Sequence, residues 1–170
     1  MKQFLSTPLT LDELPEFYKS LDFSEDTDST QEYVAIVFEE SFLSQNIVHK
    51  IYCNFIQEFI GFTMLRAADE DVDGVPGIMV EYLYLQKQYR GEEDKTTSKP
   101  YSWIILNYIV EKSIEVQNII AVNHIYLVPV TNDVRKVYEK FGFENLPETG
   151  SSQNEDYMVF NLLEEDISIV

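Results

Sequence analysis

Cysteine is nearly absent. Cys53 is the only thiol in 170 residues, so no internal disulfide braces the fold. Its place inside an apolar stretch marks it as a small buried hydrophobe. Glycine and proline number six each, which excludes low-complexity architectures. No run approaches the roughly 18 apolar residues of a membrane span. The opening residues, MKQFLSTPLTLDELPEF, lack the apolar stretch of a signal peptide, and a reducing cytoplasm is the expected setting. The two histidines are His49 and His124. No set of His, Cys and Asp has metal-ligand spacing, so no metal is expected. Bases are the scarcest charge, twelve against thirty acids, for a net charge of −18. A field of that sign repels nucleic acid and anionic lipid at long range. The charge therefore implies no nucleic-acid partner and no membrane. It favours a small amine, a polyamine or a basic peptide or protein.

What is present is core-forming. The chain is 45% hydrophobic and 14% aromatic, enough for one ordinary domain spanning 1–170. Thr10–Leu21 reads as a helix with Thr10 as cap and Glu13 three residues on. Ser29–Ser44 is ambiguous, since YVAIVF suits a strand as well, and helix is favoured. Val48–Gln57 and Phe59–Arg66 are β-branched and aromatic runs on either side of Glu58, which predicts a hairpin. Ile78–Gln86 and Ile119–Val130 are strands, with Pro100–Val116 a helix between them. Asp133–Phe141 is a short helix stopped at Gly142, and Tyr157–Leu163 is a last strand. The acidic stretches Ser24–Ser29 and Ala68–Gly74 read as loops. Two strand-to-helix units after an antiparallel hairpin imply an α/β (α+β) fold with a mixed, mostly antiparallel sheet flanked by helices.

Three local patterns resemble the GNAT-type N-acetyltransferases. Ile60-Gly61-Phe62 is similar to the second strand of that family's hairpin. Glu81-Tyr82-Leu83-Tyr84-Leu85 followed by Tyr89-Arg90-Gly91 resembles its central strand and the start of its pyrophosphate loop. Ile125 and Leu127, then Val134, Val137-Tyr138, Lys140 and Gly142-Phe143, resemble its next strand and the helix that follows. The resemblance spans roughly residues 48–163. It implies a single GNAT-like domain that moves an acetyl or other acyl group from acyl-CoA to a primary amine of a cationic acceptor. It further implies Glu81 as general base and Tyr138 as general acid. Acyl-CoA would be held by Leu83, Leu85, Arg90, Gly91, Ser102, Thr131 and Asn132.

Acyl transfer to an amine requires phosphates held, a carbonyl polarised, a proton removed from the ammonium and a proton returned to the leaving thiolate. The phosphate-holding glycines of the family are missing here. Read forward from Arg90-Gly91, their positions hold Glu93 and Lys95. Read back from the helix, they hold Pro100 and Ser102, and Pro100 has no amide to donate. Cations nevertheless gather in the same region. Lys87, Arg90, Lys95, Lys99, Arg135, Lys136 and Lys140 are seven of the twelve bases, a clustering suited to a polyanion. His124 is a second candidate base. The alternative reading is a catalytically inactive GNAT-like binding or regulatory protein whose acidic surface engages a basic partner.

Overall fold

The structure, a computed structural model, describes residues 4–23, 28–43, 46–68, 75–146 and 156–163. Among them, in chain order, lie β1 (Phe4–Pro8), α1 (Leu14–Ser20), α2 (Asp28–Phe42), β2 (Ile47–Cys53), β3 (Glu58–Ala67), β4 (Gly77–Leu85), a 3-10 turn (Lys87–Tyr89), α3 (Tyr101–Gln117), β5 (His124–Leu127), α4 (Asn132–Phe141), β6 (Glu144–Asn145) and β7 (Met158–Asn161). The described strands form a seven-stranded sheet in the order β1-β2-β3-β4-β5-β7-β6. The β1–β2, β2–β3, β5–β7 and β6–β7 pairs are antiparallel and β4–β5 is parallel, which is the mixed sheet expected. Two compact units share the chain: Met1–Arg66 with Glu81–Tyr108, and Ala67–Val80 with Ile109–Val170.

In the first unit the core is aromatic. Phe62 packs edge-on against Phe17 and Phe38 and stacks on Tyr84, with ring centroids 5.7, 5.5 and 5.3 Å away. The ambiguous segment is a helix because Val34, Val37, Phe38 and Ser41 are all buried at helical spacing. Asp28 and Ser29 open it, so the last two residues of the expected loop Ser24–Ser29 are helical, and residues 24–27 lie outside the described residues. Helix α1 starts at Leu14, not Thr10. Pro15 explains the shift, since its missing amide is harmless only in a first turn. Thr10 and Glu13 do meet: the amide and hydroxyl of Thr10 each donate to Glu13 Oε2 at 2.8 Å, holding that carboxyl below its usual range. The hairpin turns at Asn54–Gln57, ahead of Glu58. Gln57 has φ +56, and its amide donates to Cys53 O at 2.9 Å. Strand β1, unforeseen in the sequence, registers on β2 from Phe4↔Cys53 to Pro8↔His49.

In the second unit β5 is only His124–Leu127, far shorter than Ile119–Val130. The chain turns after α3, with Ile119 N donating to Val116 O at 2.9 Å, and Pro129 ends the strand on the other side. Four pairs, Gly77↔His124 to Val80↔Leu127, join β4 to β5. Gly77 admits this contact: a Cβ there would meet the Tyr126 ring at 2.5 Å. Helix α4 ends at Gly142, whose φ is +119. Phe143 then returns to pack on Phe160 at 5.3 Å. Of the expected loop Ala68–Gly74, residues 69–74 lie outside the described residues.

Gly61 is limited by space. A Cβ there would lie 2.0 Å from the Tyr84 carbonyl oxygen. Gly61→Ala should therefore cost about 2–4 kcal/mol. Gly142→Val, placed in left-handed backbone, should cost at least about 1 kcal/mol. Urea unfolding of both variants measures the two losses.

Candidate active site

Strand β4 carries the candidate base. Glu81 is half-buried, and its Oε1 is ion-paired with Arg66 Nε at the end of β3. Tyr33 of α2 stands beside it. Its ring meets that of Tyr82 with centroids 5.3 Å apart. Burial first, then the charges of Glu81 and Glu40, push the Tyr33 phenol up from its usual range. The negative charge of Glu81 and Glu40 is thus felt at a partly exposed aromatic ring. Arg66 and Tyr33 went unforeseen, because nothing local in the sequence joins them to Glu81. Leu83 is half-buried and Leu85 buried. The Leu85 carbonyl accepts from Arg90 Nε at 2.8 Å, while the Arg90 guanidinium lies over the Tyr84 ring at 5.2 Å. Gly91 follows with φ +77 and no atom within 4 Å of where a Cβ would stand.

The segment that lacks the family's glycines is an ordered loop around Asp94. This residue is fully buried. Its Oδ1 accepts from Thr96 N at 3.1 Å, Thr97 N at 2.8 Å and Thr97 Oγ1 at 3.0 Å. Asp94 N donates to Lys99 O at 2.9 Å, and Ser98 N donates to Asp94 O at 2.7 Å. Asp94 Oδ2 is buried without a protein partner among the described residues. At the start of α3, Tyr101 N donates to Glu92 O at 3.1 Å and Trp103 N to Pro100 O at 2.9 Å. Ser102 is half-buried between them. The run Asp94-Lys95-Thr96-Thr97 was the available signal, since Asp followed by Thr two and three residues on favours this turn.

In the second unit Tyr138 of α4 is 8% exposed and packs on Phe143 at 5.8 Å. Burial pushes its phenol up to about 12, further above neutral pH than an ordinary tyrosine. Thr131 caps α4, its Oγ1 accepting from Val134 N at 3.2 Å, and Asn132 is the exposed first residue of that helix. His124 Nδ1 lies 2.8 Å from the Tyr126 hydroxyl, which donates to Val75 O at 3.1 Å. His49 Nδ1 lies 2.6 Å from the buried Tyr108 hydroxyl of the first unit. Both histidines sit in local tyrosine pairs. No group of His, Cys, Asp and Glu able to hold a metal ion occurs among the described residues. No described helix is long and apolar enough to cross a membrane.

No family model matches the chain, and no curated protein is similar to it in sequence. Its fold is nonetheless known. AtaTR bound with AcCoA superposes with a TM-score of 0.70 at 10% identity, covering 95% of this chain and 95% of that one. The AtaT–AtaR complex bound to DNA gives 0.66 at 11% identity, over 93% and 94% of the two chains. The KacTA–DNA complex gives 0.66 at 9% identity, over 94% of each. At such low identity the likeness establishes the fold, and that fold is the GNAT fold the sequence resembles. Two of these structures correct the expected partners. Net charge implies that nucleic acid is excluded and that an amine or basic acceptor is what the chain meets, yet chains of this fold occur in complexes that hold DNA. The charge of one chain does not set the charge of an assembly, so −18 excludes no partner reached through a second protein.

The raised Tyr138 pKa has a stability consequence of definite sign. Below pH 10 the phenol is protonated folded and unfolded alike. Between pH 10 and the folded value of about 12, only the unfolded chain releases the proton, so stability falls as pH rises, by about 2–3 kcal/mol at the upper end. Thermal melts from pH 9 to 11 should show a shallower loss for Tyr138→Phe than for the wild type.

Proposed function

We propose that the 170-residue chain acts as one GNAT-like domain that transfers an acetyl or other acyl group from acyl-CoA to a primary amine of a cationic acceptor. One observation carries this reading: the fold matches, over nearly the whole chain, a structure bound with AcCoA. The acyl-CoA supplies the activated thioester. The protein's residues supply the proton transfers. Glu81 takes a proton from the acceptor's ammonium, directly or through one water, so that the nitrogen has a free electron pair. As the C–N bond forms and the C–S bond breaks, Tyr138 gives its phenolic proton to the leaving thiolate, and the second proton shed by the attacking nitrogen returns to the tyrosinate through water. Arg66 holds the Glu81 carboxylate in place, and Tyr33 with Tyr82 offers an aromatic wall to the cationic acceptor. Leu83, Leu85, Arg90, Gly91, Ser102, Thr131 and Asn132 are the proposed acyl-CoA contacts.

The same likeness supports a protein partner. AtaT is a toxin solved on the C-terminus of its antitoxin AtaR with acetyl-CoA, and in this reading the present chain is the transferase half of such a pair. Any DNA would be reached through the second protein. The buried Asp94 carboxylate favours one alternative, a GNAT-like protein without transfer chemistry, because it fills the loop where phosphate would be expected.

Thiol release from acetyl-CoA, measured over a panel of amines, separates the two. Turnover should be seen with at least one cationic amine. Glu81→Gln and Tyr138→Phe should each lower kcat by about 10- to 1,000-fold with coenzyme A affinity little changed. An unchanged rate would remove that residue from its role. No thiol release with any amine, from a chain that still binds its partner, would favour the alternative.

A further inference from the structure

We infer that the loop before α3 carries its own anion: the Asp94 carboxylate occupies the amide nest that a diphosphate would otherwise take, and a diphosphate-bearing ligand is held instead by the cationic side chains of the same segment, Lys87, Arg90, Lys95 and Lys99. The choice of ligand rests on the acyltransferase reading; the occupancy of the nest does not.

A nest of backbone amides binds anions because several N–H groups converge on one oxygen. Here Thr96 N, Thr97 N and Thr97 Oγ1 converge on Asp94 Oδ1 at 2.8–3.1 Å, the disposition a phosphate oxygen would need. The loop closes around that carboxylate through Asp94 N to Lys99 O and Ser98 N to Asp94 O, and Ser98 takes φ +54 to complete it. A phosphate entering the nest would have to strip three donors from a fully buried carboxylate. Leaving a charged buried acceptor unpaired is costly, so the nest stays filled.

The neighbouring backbone has little else to give. Pro100 has no amide. Tyr101 N and Trp103 N already donate to Glu92 O and Pro100 O. Ser102, half-buried at the start of α3, is the proposed contact there. Four cations against Glu92, Glu93 and Asp94 within Lys87–Lys99 leave a local excess of one positive charge in a chain of −18. Lys87, Arg90 and Lys95 are exposed, which is where a solvated diphosphate can meet them.

Binding through side-chain charge differs from binding through a nest in two measurable ways. It is screened by salt, and it feels the negative charge of Asp94. In Asp94→Asn the amide oxygen keeps the three donors, and the amide nitrogen takes the place of Oδ2, where no protein donor competes. The loop should therefore persist while one negative charge is lost.

The test is calorimetric titration of the full chain with coenzyme A and, separately, with inorganic pyrophosphate. Asp94→Asn should tighten both by about three- to ten-fold. Lys95→Gln should weaken both by a similar factor. Raising KCl from about 0.05 to about 0.5 M should weaken wild-type binding by at least about ten-fold. The inference is overturned if Asp94→Asn binds either ligand more weakly while its melting temperature stays near wild type. It is equally overturned if affinity ignores both salt and Lys95→Gln, because backbone amides would then be the holders. If Asp94→Asn does not fold, the salt and Lys95 arms decide. Pyrophosphate binding without coenzyme A binding would sink the acyltransferase reading and leave the Asp94 inference standing. Binding of neither would sink both.

Discussion

Strand β4 is the element on which the rest depends, and it tolerates its neighbours through glycine. Its first half, Gly77–Val80, pairs with β5, and Gly77 leaves room for the Tyr126 ring and the His124 carbonyl. Its second half presents Tyr84 to a carbonyl-to-glycine approach at Gly61 so close that any side chain there would collide. Tyr84 thereby stacks on Phe62 and supports the Arg90 guanidinium. Glu81 lies between these halves, held by Arg66. One strand thus contributes to both compact units and carries the proposed base.

Much of the fold was legible because its long elements have clean periodicity. The sequence pattern places helix α3 one residue early at both ends. Helix α4 was legible because its cap and its stop are both local, Thr131 at one end and Gly142 at the other. Misplaced boundaries have local causes too. Pro15 delays α1, and Asn54–Gln57 turns the hairpin before Glu58. Strand β1 escaped because five residues of mixed polarity, FLSTP, become a strand only by pairing with β2.

The candidate site divides along the same line. Candidates named by short motifs, such as Glu81, Arg90 and Tyr138, come from resemblance. Neighbours joined to them by contacts distant in sequence carry no such local signal. Tyr33 meets Tyr82 only through tertiary packing, and Arg66 meets Glu81 only after β3 and β4 align. Asp94 is instructive because its chemistry is local, yet attention falls on the missing glycines. The loop that the resemblance assigns to them holds a fully buried carboxylate.

These features fit one account. The fold is that of proteins solved with acetyl-CoA, and the chain keeps a protonated, buried Tyr138, a half-exposed Glu81 and a local excess of cations in an otherwise acidic molecule. The central claim is that this chain binds acyl-CoA although the loop before α3 lacks the glycines that the resemblance calls for. Calorimetric titration of the wild-type chain with acetyl-CoA at low ionic strength tests that claim most directly. Saturable binding with one site per chain is the expected result. No heat change and no melting-temperature shift at millimolar acetyl-CoA would contradict it.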